Sequence, residues 1–346
     1  MLNDAKRAVG DIRQKFLKYM RHRQRVHCQR KAIRKIEDEM ENYAETTKGF
    51  SNFMLIVADF KMKFEAMSSR ETMPENFGKR GMGWHGFVGI FYEWNNELKK
   101  VQCKHIYVDQ ILSGNGKQDT LCVVSLLESF FLALISNFER GHDGFIKRFV
   151  FYSDNAGCYV SKLLIVMVGI LNAKYKGRFF VERIIHTETQ DGKGPCDCHF
   201  ATAMEQCYHY MKSCKRNMIT RINTPSGLAK ALAWNDGIRN GIVQLVEIDR
   251  SYLLENYFDF LDKGISNKLK KYFSRVSDIE FELPTENDMT ITKNLFKTTD
   301  TCLSESIKGL VLKFKVCAHS GFGEKIGFTI DFEKKVLTYV RMEKET

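Results

Sequence analysis

Three aspartates of this chain, Asp59, Asp154 and Asp197, occupy positions that suit catalysis. Asp59 follows the apolar run 53–58, and Asp154 follows a second apolar run, 149–153. Asp197 lies at the predicted start of a helix, directly after a Gly-Lys-Gly-Pro-Cys segment. Because two strand ends and a helix start can meet at one edge of a sheet, we expect these carboxylates to share a site.

The chemistry that such a group of carboxylates suits is metal-dependent cleavage or joining of phosphodiester bonds. Two divalent ions about 3.5–4 Å apart can activate the attacking oxygen and stabilise the leaving one. Mg²⁺ takes carboxylates, water and substrate phosphates as ligands, so aspartates from separate elements suffice. A carboxylate at the end of an apolar strand is costly unless it is paired. We therefore predict that Asp59, Asp154 and Asp197 are catalytic residues and ligands of Mg²⁺ or Mn²⁺.

Each aspartate also has a simpler structural explanation when it is taken alone. An aspartate after a strand often caps a turn, as Asp154 can through residues 155–157. Asp197 can stabilise the first turn of its helix through the helix dipole, without any catalysis. Convergence of all three residues is therefore what favours the catalytic interpretation.

The third position has nearby rivals in Glu188, Asp191 and Glu205. Glu205 lies eight residues after Asp197, which is about 12 Å along a helix. At most one of these two can serve the same ion.

The composition is that of a folded protein without membrane spans. The 346 residues are 44% hydrophobic and 27% charged, and no apolar run reaches the roughly 20 residues that cross a bilayer. The first residues do not resemble a secretory signal. We therefore expect an intracellular, nuclear protein whose ten cysteines are reduced thiols.

The positive charge is concentrated at the amino terminus. Residues 1–35 hold 12 of the 53 Lys and Arg residues but only 2 of the 42 acids, a surplus that accounts for 10 of the net charge of +11. Such a basic segment is typical of nucleic-acid contact, although a solvated helix face has the same composition.

The predicted elements follow an α/β order. Residues 1–46 favour one or two helices that bury a stripe of Ile33, Ile36, Met40 and Tyr43, spaced by three and four. Residues 53–213 then predict three strands followed by alternating helices and strands. The strands are 53–64, 87–94, 101–111, 149–153 and 178–188, and the helices are 120–139, 159–175 and 195–213.

Three antiparallel strands followed by two parallel crossovers predict a mixed five-stranded sheet with flanking helices, since such crossovers are right-handed. Beyond residue 213 the pattern predicts helices at 224–240 and 252–271, a strand at 241–249 and short β runs within 278–346. The predicted organisation is a basic helical segment (1–48), an α/β core (50–215) and a small α+β C-terminal extension (216–346).

This order of elements resembles the ribonuclease H-like fold of DDE/D transposases, retroviral integrases and related nucleases. The segments 77–85, 153–159 and 192–197 are similar to segments of proteins of eukaryotic mobile elements. The resemblance covers roughly residues 50–215. It implies a transposase-like core in which Asp59 and Asp154 match the first two acids and Asp197 the third.

Two glycine-rich loops and the basic helix supply candidate DNA-binding residues, because cations beside flexible backbone can contact phosphates. These candidates are Lys79, Arg80, Lys193, Arg21, Arg23, Arg25, Arg30 and Lys31. Trp84 and His85 either contact a base or pack in the core. Cys196, Cys198, His199, Cys207 and Cys214 suggest zinc, but their spacing does not fit structural zinc sites.

The functional prediction is a DNA strand-transfer enzyme or nuclease that depends on Mg²⁺ or Mn²⁺ and binds DNA, with a homo-oligomer as a possible assembly. Two alternatives stay open. One is a domesticated, non-catalytic DNA-binding protein of the same fold, and the other is an RNA-directed nuclease.

Overall fold

A computed structural model describes residues 2–68, 81–114, 117–138, 146–187, 194–213, 221–248, 278–282, 311–319, 322–331 and 336–341. Several predicted features lie outside these residues. They are Lys79, Arg80, Lys193, Glu188, Asp191, Cys214 and the predicted helix 252–271.

The described residues form α-helices and β-strands in the alternating order that the sequence predicts. The helices are α1 (Leu2–Thr47), α2 (Thr120–Phe138), α3 (Lys162–Lys174), α4 (Pro195–Ser213) and α5 (Pro225–Leu232). The strands are β1 (Met54–Phe64), β2 (Met67–Ser68), β3 (Met82–Asn95), β4 (Lys100–Ser113), β5 (Arg148–Ser153), β6 (Phe180–His186), β7 (Arg221–Ile222), β8 (Gly241–Glu247), β9 (Asp278–Phe281), β10 (Val311–His319), β11 (Phe322–Asp331) and β12 (Val336–Arg341).

The five strands predicted for the core are neighbours in one mixed sheet, in the order β6-β5-β1-β3-β4. Strand β3 pairs antiparallel with β1 and β4, whereas β5 runs parallel to both β1 and β6. The α/β class and the mixture of parallel and antiparallel pairing are therefore confirmed.

The sheet is larger than the predicted five strands, because the described sheet has ten. Strand β8 adds to β4 in parallel, and β9 adds antiparallel to β6. The antiparallel strands β10, β11 and β12 continue from β9. The predicted strand 241–249 thus extends the β4 edge of the core sheet, and the short β runs within 278–346 extend the β6 edge, a pairing that strand periodicity alone cannot reveal.

Successive side chains of β1 point to opposite faces of the sheet. Both faces are therefore apolar, and helices cover both. Met54, Ile56 and Ala58 belong to the hydrophobic cluster on the face of α2 and α3. Leu55 and Val57 belong to the other cluster, on the face of α1, α4 and α5. The next residue in this second series is Asp59, so its side chain faces α1 and α4.

Helix α1 is one continuous element of 46 residues, about 69 Å long. Its inner half, residues 26–47, packs on the sheet through Val26, Ile36, Met40 and Ala44, all of them buried, and residues 2–25 form its outer half. The predicted stripe was wrong at Tyr43, which is 46% exposed, because the helical repeat places the neighbouring residue on the packed face. No described helix is both long and apolar enough to span a membrane.

Candidate functional site

Asp59 and Asp154 lie beside each other on neighbouring parallel strands. The register of β1 and β5 pairs Ala58 with Ser153, and the next residue on each strand is the aspartate. Parallel strands are about 4.8 Å apart, so the pairing brings the two backbones to one edge of the sheet. The two predicted aspartates therefore converge. Asp154 directly follows the end of β5, whereas the prediction of a strand end at Asp59 was wrong, because β1 continues to Phe64.

Asp154 also has the turn-capping role that its sequence suggests. Its Oδ1 accepts a hydrogen bond of 3.0 Å from the backbone N–H of Ala156. This bond fixes the carboxylate orientation through one oxygen. Structural and catalytic roles are compatible here, because a carboxylate offers two oxygens and several lone pairs.

Asp197 is in the first turn of α4, which begins at Pro195. Its Oδ2 accepts a hydrogen bond of 3.0 Å from the backbone N–H of Gly194, in the manner of the third helical residue of a capping box. Proline at the first helical position is favoured, because that position needs no backbone donor. The sequence therefore starts the helix at this point and presents Asp197 beside the strand ends.

One pocket of about 380 Å³ has all three aspartates in its lining. Strand β1 supplies Asp59, the end of β5 supplies Asp154, and the start of α4 supplies Asp197. No three His, Cys, Asp or Glu side chains in the described part of the chain are already arranged to hold a metal ion. The carboxylates therefore share a pocket without forming a preassembled set of metal ligands.

The electrostatics of this pocket disfavour three bare negative charges. The pKa of Asp59 is raised from its ordinary 3.8 to about 7. Burial is the largest cause, followed by the negative charges of Asp154 and Asp197, and a backbone hydrogen bond with Phe60 acts in the opposite direction. A cation in the pocket would relieve the same repulsion. Oxygen donors of this kind fit Mg²⁺ or Mn²⁺.

Close contacts hold the start of α4 against the sheet. The thiol of Cys196 donates a hydrogen bond of 3.4 Å to the carbonyl oxygen of Val57. Gly86 is the partner of Asp59 across the β1–β3 pair, and a Cβ atom there would lie 2.8 Å from the ring of Phe200. Glycine thus allows the helix to approach the strand beside the site.

A buried polar cluster fixes the same helix further along. His199 donates from Nε2 to Asp109 Oδ2 at 2.8 Å, and Trp84 donates from Nε1 to Asp109 Oδ1 at 2.8 Å. All three side chains are buried, and the ring of Tyr107 stacks on His199. Trp84 is therefore a core residue, in agreement with the packing alternative.

His85 is likewise a core residue and not a base-contacting one. Its Nε2 shares a hydrogen bond of 2.9 Å with the hydroxyl of Tyr159, and burial lowers the pKa of His85 to about 3. Tyr159 follows the turn that Asp154 begins. The pair therefore anchors this turn beneath the pocket through a neutral hydrogen bond.

Helix α1 forms the opposite wall of the pocket. Arg30, Ile33, Arg34 and Glu37 line it, and their spacing puts them on one face of the helix. Of the DNA-binding candidates predicted on this helix, Arg21, Arg23, Arg30 and Lys31 are exposed and Arg25 is half-buried. Only Arg30 among them lines this pocket.

Several lining residues were missed from the sequence, notably Arg34, Glu37 and Thr187. The spacing of Arg30 and Arg34 places them on one helix face, but nothing in the sequence indicates where that face docks. Glu205 is exposed and does not line the pocket. Among the described acids, Asp197 is therefore better placed than Glu205 for the third position.

The cysteines near the site do not have the surroundings of a nucleophile. Burial raises the pKa of the Cys196 thiol well above its ordinary value, which disfavours the thiolate. His186 shares a hydrogen bond of 3.0 Å with Ser153 Oγ, and His199 is engaged by Asp109. Cys196 and Cys207 are buried, whereas Cys198 is exposed.

Comparisons with known proteins do not identify a family. No protein-family model matches the chain, and no characterised protein matches it. The solved structures that it resembles include NurA with manganese, with 9% identity over 89% of this chain and 89% of that chain at a TM-score of 0.18. A structure of NurA bound to dAMP and manganese gives 8% identity over 91% of this chain and 58% of that chain at a TM-score of 0.15. Scores this low carry no argument about fold or function.

Proposed function

We propose that this protein is a metal-dependent DNA strand-transfer enzyme or nuclease of the transposase type. The observation that carries the proposal is the convergence of Asp59, Asp154 and Asp197 on one pocket, where their mutual repulsion helps to raise the pKa of Asp59 to about 7. Such clustered carboxylates with a perturbed pKa are typical of functional sites.

The order of the sheet supports a ribonuclease H-like arrangement of the core. Three antiparallel strands are followed by two parallel ones on the other side of β1. The first strand supplies Asp59, the fourth core strand ends directly before Asp154, and a later helix supplies Asp197. This distribution is the one that the transposase resemblance implies.

The aspartates would hold Mg²⁺ or Mn²⁺ through their oxygens. The bound ions would supply activation of the attacking oxygen and relief of charge on the leaving oxygen. The protein contributes position: the Ala156 N–H orients Asp154, and the Gly194 N–H orients Asp197. Burial of Cys196 and Phe200 beneath the start of α4 keeps that helix against the strand ends.

The exposed outer half of α1 supports DNA as the partner. Arg21 and Arg23 are exposed, and guanidinium groups bind phosphates without reading the base sequence. The same half carries exposed apolar side chains, among them Val9, Ile12 and Phe16, which agrees with assembly into a homo-oligomer. The proposal implies action in the nucleus, where the DNA substrate is found.

Plasmid nicking tests the catalytic part of the proposal. Supercoiled plasmid is incubated with the protein and Mg²⁺ or Mn²⁺, and an RNA–DNA hybrid is tested in parallel. We expect plasmid nicks that disappear with chelator. DNA binding without any metal-dependent nicking would favour the non-catalytic alternative, and cleavage restricted to the hybrid would favour the RNA-directed nuclease.

A further inference from the structure

The basic wall of the pocket is built by one face of α1. Arg30 and Arg34 are one helical turn apart and line the same pocket as the three aspartates. They lie in the inner half of the helix, which packs on the sheet. Other arginines of the helix, such as Arg21 and Arg23, lie in its outer half and do not line the pocket.

A buried contact fixes this part of the helix beside the acidic residues. Gln29 is 3% exposed, and its Nε2 donates a hydrogen bond of 2.8 Å to the carbonyl oxygen of His186. His186 in turn shares a hydrogen bond with Ser153, the residue before Asp154. Gln29, next to Arg30, is therefore connected through His186 to Ser153, next to Asp154, by two hydrogen bonds.

The charges across the pocket are complementary to a phosphodiester that carries divalent cations. Carboxylates attract the cations, whereas guanidinium groups donate in a fixed fork to the non-bridging phosphate oxygens. The neighbouring Glu37 lines the same wall of the pocket. Its pKa is raised, with burial as the largest cause, and the charge of Arg34 acts in the opposite direction.

We propose that Arg30 and Arg34 bind the reacting phosphodiester inside the pocket, whereas the outer arginines of α1 hold DNA away from it. This inference rests on the proposed function and assigns it two phosphate-binding residues. The two groups of arginines then have different kinetic signatures. Residues that hold the reacting phosphate affect the rate at saturating DNA, and residues that only tether DNA affect its affinity.

Single-turnover cleavage at saturating DNA separates these signatures. We expect Arg34→Gln and Arg30→Gln each to lower the rate by about 100-fold, the lower end of the loss for a preorganised charge-stabilising group. Arg34→Lys restores only part of the rate, because lysine cannot donate in the same fork. The matched control is Arg239→Gln, an exposed arginine that does not line the pocket, for which we expect an unchanged rate, whereas Arg23→Gln should mainly weaken DNA binding. If Arg34→Gln instead weakens binding and leaves the saturated rate unchanged, the inference is wrong.

A second readout does not depend on activity. Inorganic pyrophosphate with Mn²⁺ is used as the probe, and its binding is followed by the rise in melting temperature. We expect wild-type protein and Arg23→Gln to be stabilised, and Arg34→Gln to lose most of that rise. A rise that is unchanged in Arg34→Gln contradicts the inference. An Arg34-dependent rise in a protein that never nicks DNA supports the phosphate site and contradicts the proposed function.

Discussion

The two walls of the pocket are built in different ways. The acidic wall takes Asp59, Asp154 and Asp197 from three elements that are far apart in the sequence, whereas the basic wall takes Arg30 and Arg34 from one turn of α1. Backbone hydrogen bonds orient two of the aspartates. The arginines depend on the docking of a single helix. Asp59 and Asp154 are therefore positioned by strands of the sheet, whereas Asp197 and the basic wall are positioned by helices packed on the sheet.

The largest effect is expected from the acidic wall. Asp154→Asn and Asp59→Asn remove a charge with little change in shape, so we expect metal-dependent cleavage to fall by more than about 100-fold, beyond the typical 10- to 100-fold loss for residues that only support metal ligands. DNA affinity and folding should be nearly unchanged. Nicking rate, DNA binding and circular dichroism of each variant provide the check, and a fully active variant would contradict the assignment.

A smaller effect is expected at the third acid. Asn at position 197 can still accept the hydrogen bond from Gly194, so Asp197→Asn tests the charge apart from the helix cap. We expect a loss of roughly 10-fold or more in the metal-dependent rate. The matched control on the same helix is Glu205→Gln, which removes an exposed carboxylate outside the pocket and should leave the rate unchanged. The opposite ranking of these two variants would make Glu205 the third acid.

The pH dependence follows from the raised pKa of Asp59. The native state holds a proton on Asp59 up to about pH 7, whereas the unfolded chain releases it near the ordinary 3.8. Without metal, the contribution of Asp59 to stability therefore falls as pH rises from about 4 to about 7. Since metal binding displaces the proton, Mn²⁺ affinity should rise over pH 6 to 8.

Thermal melts in chelator and Mn²⁺ titrations at several pH values measure both trends. Without metal, Asp59→Asn should show a smaller decrease in stability between about pH 4 and about pH 7 than wild type. At neutral pH it should therefore be more stable than wild type. A wild-type protein whose Mn²⁺ affinity is constant through pH 7 would contradict the pKa assignment.

The smallest effect on the chemical step is expected from the outer half of α1. Arg21→Gln combined with Arg23→Gln removes two exposed cations, so the slope of log affinity against log salt should become shallower by about 2. The cleavage rate at saturating DNA should not change. Affinity measured at several salt concentrations tests this, and an unchanged slope would mean that these residues do not contact phosphate.

The acidic wall could be predicted from the sequence because its residues follow strong local signals. Apolar runs end directly before Asp59 and Asp154, and Pro195 starts the helix that carries Asp197. The start of each predicted element is a local property of the chain. The register that puts Ala58 opposite Ser153 agrees with an alignment of the ends of the two apolar runs.

The basic wall and the extended sheet could not be predicted because both depend on long-range contacts. Arg34 has no local feature that separates it from other arginines of α1. The docking of the helix is shown by its buried apolar residues and by the contact between Gln29 and His186. The C-terminal strands were predicted as one strand at 241–249 and as short β runs within 278–346. Their partners, β4 and β6, were not evident because pairing at a sheet edge leaves no periodic signal.

Anomalous diffraction from crystals soaked in Mn²⁺ tests the central claim most directly. The account predicts manganese in the pocket, within about 2.0–2.2 Å of carboxylate oxygens of Asp59 and Asp154, as expected for a small divalent ion. The same soak of Asp59→Asn crystals should show little or no manganese there. A wild-type pocket that stays empty at saturating Mn²⁺, above pH 7 and with cleavable DNA bound, would contradict the account.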